Sequence, residues 1–243
     1  MARGNGGEPR GFLHDLLHPF EAAARSRERE RKERARRERE QQRARARREQ
    51  AGKKAEKQTQ QQLHRLTWRG TYYVFDDLPT LNAGNIDHLV VGPEGITLVE
   101  TKGNSGEIKG IPAGKGEVEI TVGGNPLHRS LRNQVRAQMW DVCKRAGMKT
   151  GPDDTSGMNW LVCFPNGELG QGIHPVLRSH IATTHDLGMK VRATRPGQRR
   201  MDDEMVQAVA SAVSRIYERP PSATPARRPD TDEERRGREG EDQ

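Results

Sequence analysis

The chain of 243 residues has only two cysteines, Cys143 and Cys163. That is too few for a disulfide framework or a Cys-rich zinc site, so a reducing compartment, the cytoplasm, is the expectation. Aromatic residues make up 4% and hydrophobic residues 31%, no more than the charged ones. With so little apolar material, much of the chain must lie outside any packed core. No apolar run approaches the roughly 18–20 residues that a membrane span needs. The N-terminal patch of Phe12, Leu13, Leu16, Leu17 and Phe20 is broken by Asp15, His18 and Pro19, and no small-residue cleavage site follows. It is not expected to be a signal peptide. Residues 1–24 read as a short amphipathic segment, either a docking patch for a partner or membrane surface or a frayed end.

Charge is plentiful but unevenly placed. The formal net charge is +8. Residues 25–54 hold 15 basic and 6 acidic groups, whereas residues 55–218 hold 19 and 18. The basicity therefore belongs to an arm, 25–51 with Lys53 and Lys54 just beyond. Between Arg25 and Ala51 there is neither Gly nor Pro, and every residue type tolerates a helix. Glu28–Lys32, Glu30–Arg34 and Glu33–Arg37 set an acid four residues before a base, each worth about 0.2–0.5 kcal/mol. No apolar a/d seam runs through it. The prediction is a long, solvated, charged helix. Arg36, Arg37, Arg43, Arg45, Arg47, Arg48, Lys53 and Lys54 are its candidates for phosphate contact through counterion release. A solubilising spacer and a helix docked on a protein partner are the other readings. The tail, 219–243, carries Pro220, Pro221, Pro225 and Pro229 and then mixed charge, and reads as disordered.

Folding is left to residues 52–218. Lys53–Leu66 reads as a helix with Ala55, Thr59, Leu63 and Leu66 on one stripe. Strands are expected at 71–78, 85–91, 96–102 and 159–164, with short edge strands at 107–111 and 117–122 and a weaker strand at 180–184. Helices are expected over 127–146 and, capped by Asp202, over a segment whose Met205, Val206, Val209, Val213 and Ile216 face inward. This is an α/β order, a mixed central β-sheet flanked by helices.

One hairpin can be registered from sequence. The loop Gly92-Pro93-Glu94-Gly95 pairs Val91 with Ile96, so Leu89 faces Leu98 and Asp87 faces Glu100. All six share one side of the pleat, and Lys102 joins them two residues on. Ile86, Val90, Val99 and Thr101 take the other face. Like charges directly opposite are destabilising, so the acids call for a cation. Either Lys102 bridges both as a plain ion pair, or a divalent metal takes their oxygens.

The run Asn85-Ile86-Asp87-His88-Leu89-Val90-Val91-Gly92-Pro93-Glu94-Gly95-Ile96, continuing to Glu100-Thr101-Lys102, resembles the NERD (nuclease-related) domain of the PD-(D/E)XK nuclease-like superfamily. The resemblance extends over roughly residues 52–165. It implies a restriction-endonuclease-like core and a metal-dependent nuclease, using Mg2+ or Mn2+, with nucleic acid, DNA first, as partner. It implies Asp87 and Glu100 as metal ligands, the Thr101 backbone carbonyl as a third oxygen, and Glu56 joining the metal shell directly or through water. Lys102 would orient or activate the attacking water and steady charge on the phosphate, with Gln134 as a helix residue near the site. Some superfamily nucleases carry an aromatic residue four positions after that glutamine, where this chain has Gln138. A non-catalytic nucleic-acid-binding or scaffold protein using the basic arm is the alternative. His88 projects from the opposite face and reads as a buried, hydrogen-bonded residue, and both cysteines as packed thiols.

Overall fold

The computed structural model describes residues 11–68, 70–81, 84–114, 117–127, 131–147, 158–193 and 199–225, with side chains from residue 27 onward and not for 111–118, Arg132 or Val176. The chain divides into two units, 1–50 and 51–243. Helix α1, Gly11–His64, supplies the whole described part of the first unit, and its residues 27–50 are all exposed. A helix polar all round is held by its own i,i+4 pairs, here Glu28–Lys32 at 2.6 Å, Arg34–Glu38 at 3.1 Å and Arg36–Glu40 at 2.9 Å. Arg34 thus pairs with Glu38 rather than the expected Glu30. The side chains of the Phe12–Phe20 patch lie outside the described residues.

The second unit begins with residues 51–64 of α1 and a 3-10 turn, Arg65–Trp68. Strands β1 (Tyr73–Pro79), β2 (Asn85–Gly92) and β3 (Gly95–Thr101) follow as an antiparallel meander. Then come β4 (Ser105–Gly114), β5 (Glu117–Val122), β6 (Asn125–Pro126) and helix α2 (Leu131–Arg145). The chain continues through β7 (Met158–Cys163), β8 (Asn166–Leu169), α3 (Pro175–Arg178), β9 (Ile181–Ala182), α4 (Leu187–Val191) and α5 (Asp203–Tyr217). β1-β2-β3-β7-β9 form one mixed sheet, with β3-β7 and β7-β9 parallel. The segments expected as edge strands of that sheet instead build a second one, β6-β5-β4-β8.

Both faces of the five-stranded sheet are covered, as parallel pairing demands. Leu63 of α1 and Leu66 just beyond it, with Leu187 and Val191 of α4, bury Val74, Val90, Val99, Leu161 and Cys163. Val135, Met139 and Val142 of α2 and Val206, Ala210 and Val213 of α5 bury Leu89, Val91, Leu98 and Val162. Ala55 and Thr59 complete the expected stripe of α1, fully buried. Ile86 corrects one expectation. It belongs to the core cluster of Leu89 and Phe75, as does Leu78, its partner on β1, and not to that of Val90. Met205 corrects another: it is 53% exposed, because the face that α5 buries runs through Val206, Ala210, Val213 and Tyr217 and Met205 stands beside it.

The β2–β3 turn is built as its residues require. Gly95 has φ 98°, and a Cβ on Gly92 would come within 2.4 Å of the Tyr72 ring. Asp202 caps α5, accepting the Met205 N–H at 2.8 Å. Of the tail expected to be disordered, residues 219–225 run beside β1. Ser222 N–H donates to the Val74 carbonyl (2.7 Å), and Val74 N–H to Ala223 (2.9 Å). An edge strand is thereby partly covered. Residues 226–243 lie outside the described residues. Among the described residues no helix is long and apolar enough to cross a membrane.

Candidate active site at the end of the central strand

The register of the β2–β3 hairpin is the one the turn dictates: Gly92↔Gly95, Val91↔Ile96, Leu89↔Leu98, His88↔Val99. The ladder ends there, one step before Asp87 and Glu100. Beyond it side chains replace backbone pairing. Thr101 N–H donates to Asp87 Oδ2 at 2.7 Å. Lys102 N–H donates to the Cys163 carbonyl at 2.9 Å, extending the contact with β7. Acid, acid and lysine thus meet at the C-terminal end of a central strand.

Glu100 is 3% exposed and heavily bonded. Its Oε1 accepts from Lys102 Nζ (2.6 Å) and Gln134 Nε2 (2.7 Å), and its Oε2 from Gln138 Nε2 (3.1 Å). Lys102 Nζ also donates to Gln134 Oε1 at 3.4 Å. Lys102 does not bridge the two acids. Among the described residues Asp87 has no ion-pair partner. Burial and the charge of Glu100 push its carboxyl up to about 7, with a smaller push from Glu56, against the Thr101 N–H and His88. Glu56, exposed on α1, is therefore near enough to act on Asp87 through its charge.

Behind the site, on the face of α1, His88 is buried with its Nδ1 2.5 Å from Asp76 Oδ1. Asp76 Oδ2 accepts from Gln60 Nε2 at 2.7 Å and lies 3.1 Å from His64 Nε2. Burial opposes this charge, but hydrogen bonds from His88, Ser222 and Gln60 outweigh it and hold the Asp76 carboxyl well below the usual range. Cys143 and Cys163 are buried free thiols, and burial pushes Cys163 up to about 12.

The structure therefore gathers Asp87, Glu100, Thr101, Lys102 and Gln134, with Glu56 nearby. Arg36, Arg37, Arg43, Arg45, Arg47 and Arg48 line the exposed helix of the first unit, and Lys53 and Lys54 are exposed at the start of the second. Gln138 was no candidate in the sequence, where it stood only as a departure from a pattern. The signal was available: Gln134 and Gln138, four apart, share a helix face.

The donor set suits a hard divalent cation. Carboxylates and a backbone carbonyl are its preferred ligands, and the ammonium present is engaged by Glu100. Among the described residues no group of three or more His, Cys, Asp or Glu is gathered to hold a metal ion. Further ligands would have to be backbone or solvent.

A mixed α/β domain with two carboxylates and a lysine at the end of a central strand defines the class. Residues 51–162 match the family model of the nuclease-related domain, NERD, so this chain carries a NERD domain. The match takes in Glu56, Asp87, Glu100, Lys102, Gln134 and Gln138 and makes the domain nuclease-related. No curated protein and no solved structure gives a significant match.

Proposed function

We propose that the protein hydrolyses phosphodiester bonds of nucleic acid, DNA first, with Mg2+ or Mn2+. The observation that carries this reading is that the Lys102 ammonium sits on Glu100 and leaves Asp87 without a cation. A second positive charge is wanted beside Asp87, and a divalent ion supplies it with oxygen ligands. Asp87, Glu100 and the Thr101 carbonyl would hold that ion, with Glu56 joining directly or through water.

Such an ion would polarise a phosphoryl oxygen and bring the pKa of a water near neutrality. The protein's own groups do the rest. To act as a ligand Asp87 would have to be ionised, against the burial that pushes its carboxyl up to about 7. Lys102, steered by Glu100 and Gln134, offers its ammonium to the charge that develops on the phosphate, where buried surroundings strengthen the interaction. The basic arm adds affinity without sequence preference.

A second reading has an observation of its own. Glu100 already accepts three side-chain donors and no third acid is gathered, which suits a non-catalytic nucleic-acid-binding or scaffold protein. Digestion of single-stranded, duplex and branched DNA, and of RNA, decides between them. Cleavage that needs Mg2+ or Mn2+ and disappears in Asp87→Asn supports the nuclease. Binding without any cleavage, unchanged in Asp87→Asn and lost with residues 25–54, supports the scaffold.

A further inference from the structure

We propose that Gln138 is a positioning residue that sets Glu100 for the cation, an inference that rests on the metal-dependent reading above. Past His88↔Val99 no backbone pair joins β2 and β3, and the two acids stand on either side of the opening. One side-chain amide spans it: Gln138 Nε2 donates both to the Asn85 carbonyl of β2 (2.9 Å) and to Glu100 Oε2 of β3 (3.1 Å). Helix α2 thereby ties the first residue of β2 to the acid at the end of β3. Gln134, one turn earlier, holds the other oxygen of the same carboxylate. Bonded at both oxygens, the Glu100 carboxyl group cannot rotate freely.

The position is costly to fill this way. Gln138 is fully buried, and its Oε1 has no hydrogen-bond partner. An unpartnered buried carbonyl lowers stability, and a methionine would fill the same core volume without it. What the glutamine adds is the donor. A carboxylate offers about four lone-pair positions. Lys102, Gln134 and Gln138 occupy three, which leaves capacity for one further contact, on a carboxyl whose plane is fixed. Groups that orient a metal ligand typically change metal affinity about 10–100-fold when removed.

The test titrates Mn2+ by calorimetry into the full chain and its Gln138→Met and Gln138→His variants, with folding followed by circular dichroism. Gln138→Met keeps the volume and loses the donor; its Mn2+ Kd is expected to rise at least about tenfold. Gln138→His keeps a ring N–H at similar reach and should restore most of the affinity. A packing role alone would lower the melting temperature of both and leave the affinity of folded protein unchanged. If Gln138→Met does not fold, Gln138→Asn, too short to span the opening, stands in against Gln138→His. Wild-type affinity in the variant lacking the donor, or no recovery in Gln138→His, overturns the positioning role alone. A wild-type chain that binds no Mn2+ overturns the metal-dependent reading and this inference with it.

Discussion

Replacing Asp87 by Asn should stabilise the metal-free protein, and by an amount that depends on pH. The carboxyl is raised from 3.8 to about 7 by burial and by Glu100. An acid that holds its proton more tightly when folded contributes stability below its unfolded pKa, and that contribution is lost as pH rises toward the folded value. Each unit is worth about 1.4 kcal/mol, so ionised Asp87 costs the fold up to about 4 kcal/mol at pH 8. Asn keeps an oxygen for the Thr101 N–H but carries no charge. It should recover about 1–4 kcal/mol at pH 8 and little at pH 4, or about 2–16 °C in Tm for a chain of this size. Thermal melts of both proteins in chelator at pH 4, 6 and 8 make the measurement, and repeating them with Mn2+ should raise Tm for wild type alone. An Asp87→Asn protein less stable than wild type at pH 8, or a difference independent of pH, would show that the Asp87 carboxylate does not strain the metal-free fold.

Other expectations concern separate groups. Lys102→Ala should leave the circular dichroism spectrum unchanged and lower kcat for metal-dependent cleavage at least about 100-fold, the scale for one lost charge-stabilising donor; near-normal turnover would exclude Lys102 from the chemistry. Asp76→Asn should cost about 3–5 kcal/mol in urea unfolding, because His88, His64 and Gln60 converge on one buried carboxylate. The stabilisation from Asp76 is present above its unfolded pKa and lost as pH falls toward the depressed folded value, so the gap between wild type and variant should narrow in acid. Changing Arg43, Arg45, Arg47 and Arg48 to Gln should reduce the slope of log K against log salt for duplex binding by up to about 4; an unchanged slope would remove the arm from phosphate contact.

What could be read from the chain divides along physical lines. The hairpin register was legible because a Gly-Pro-Glu-Gly loop fixes which residues face one another, and Leu89, Val91, Ile96 and Leu98 agree with it. The α1 stripe was legible because helix and sheet impose different periods. The second sheet was not. β8 is Asn166-Gly167-Glu168-Leu169, with no β-branched residue, and it is a strand through its parallel pairing with β4. Ile86 defeated strict alternation together with Leu78, its partner across the ladder, since both join the cluster of Leu89 rather than that of Val90. The Asp202 cap was legible, but Met205 shows that an apolar residue in a first helical turn need not reach the core.

The site itself was half legible, and the missing half has one cause. Sequence spacing locates groups along a strand, so Asp87, Glu100 and Lys102 could be placed on one side. It does not say which acid the lysine takes. That choice is made by α2, whose Gln134 and Gln138 engage Glu100 at both oxygens and draw Lys102 to the same carboxylate. Asp87 is left with the Thr101 N–H and a carboxyl that burial and Glu100 push up to about 7. The two neighbouring acids therefore differ: Glu100 is held at both oxygens, whereas Asp87 has no cation of its own among the described residues, and on the metal-dependent reading proposed above a divalent ion would supply one. A lysine bridging both acids would have spread its one positive charge over two carboxylates, so that neither stood without a cation.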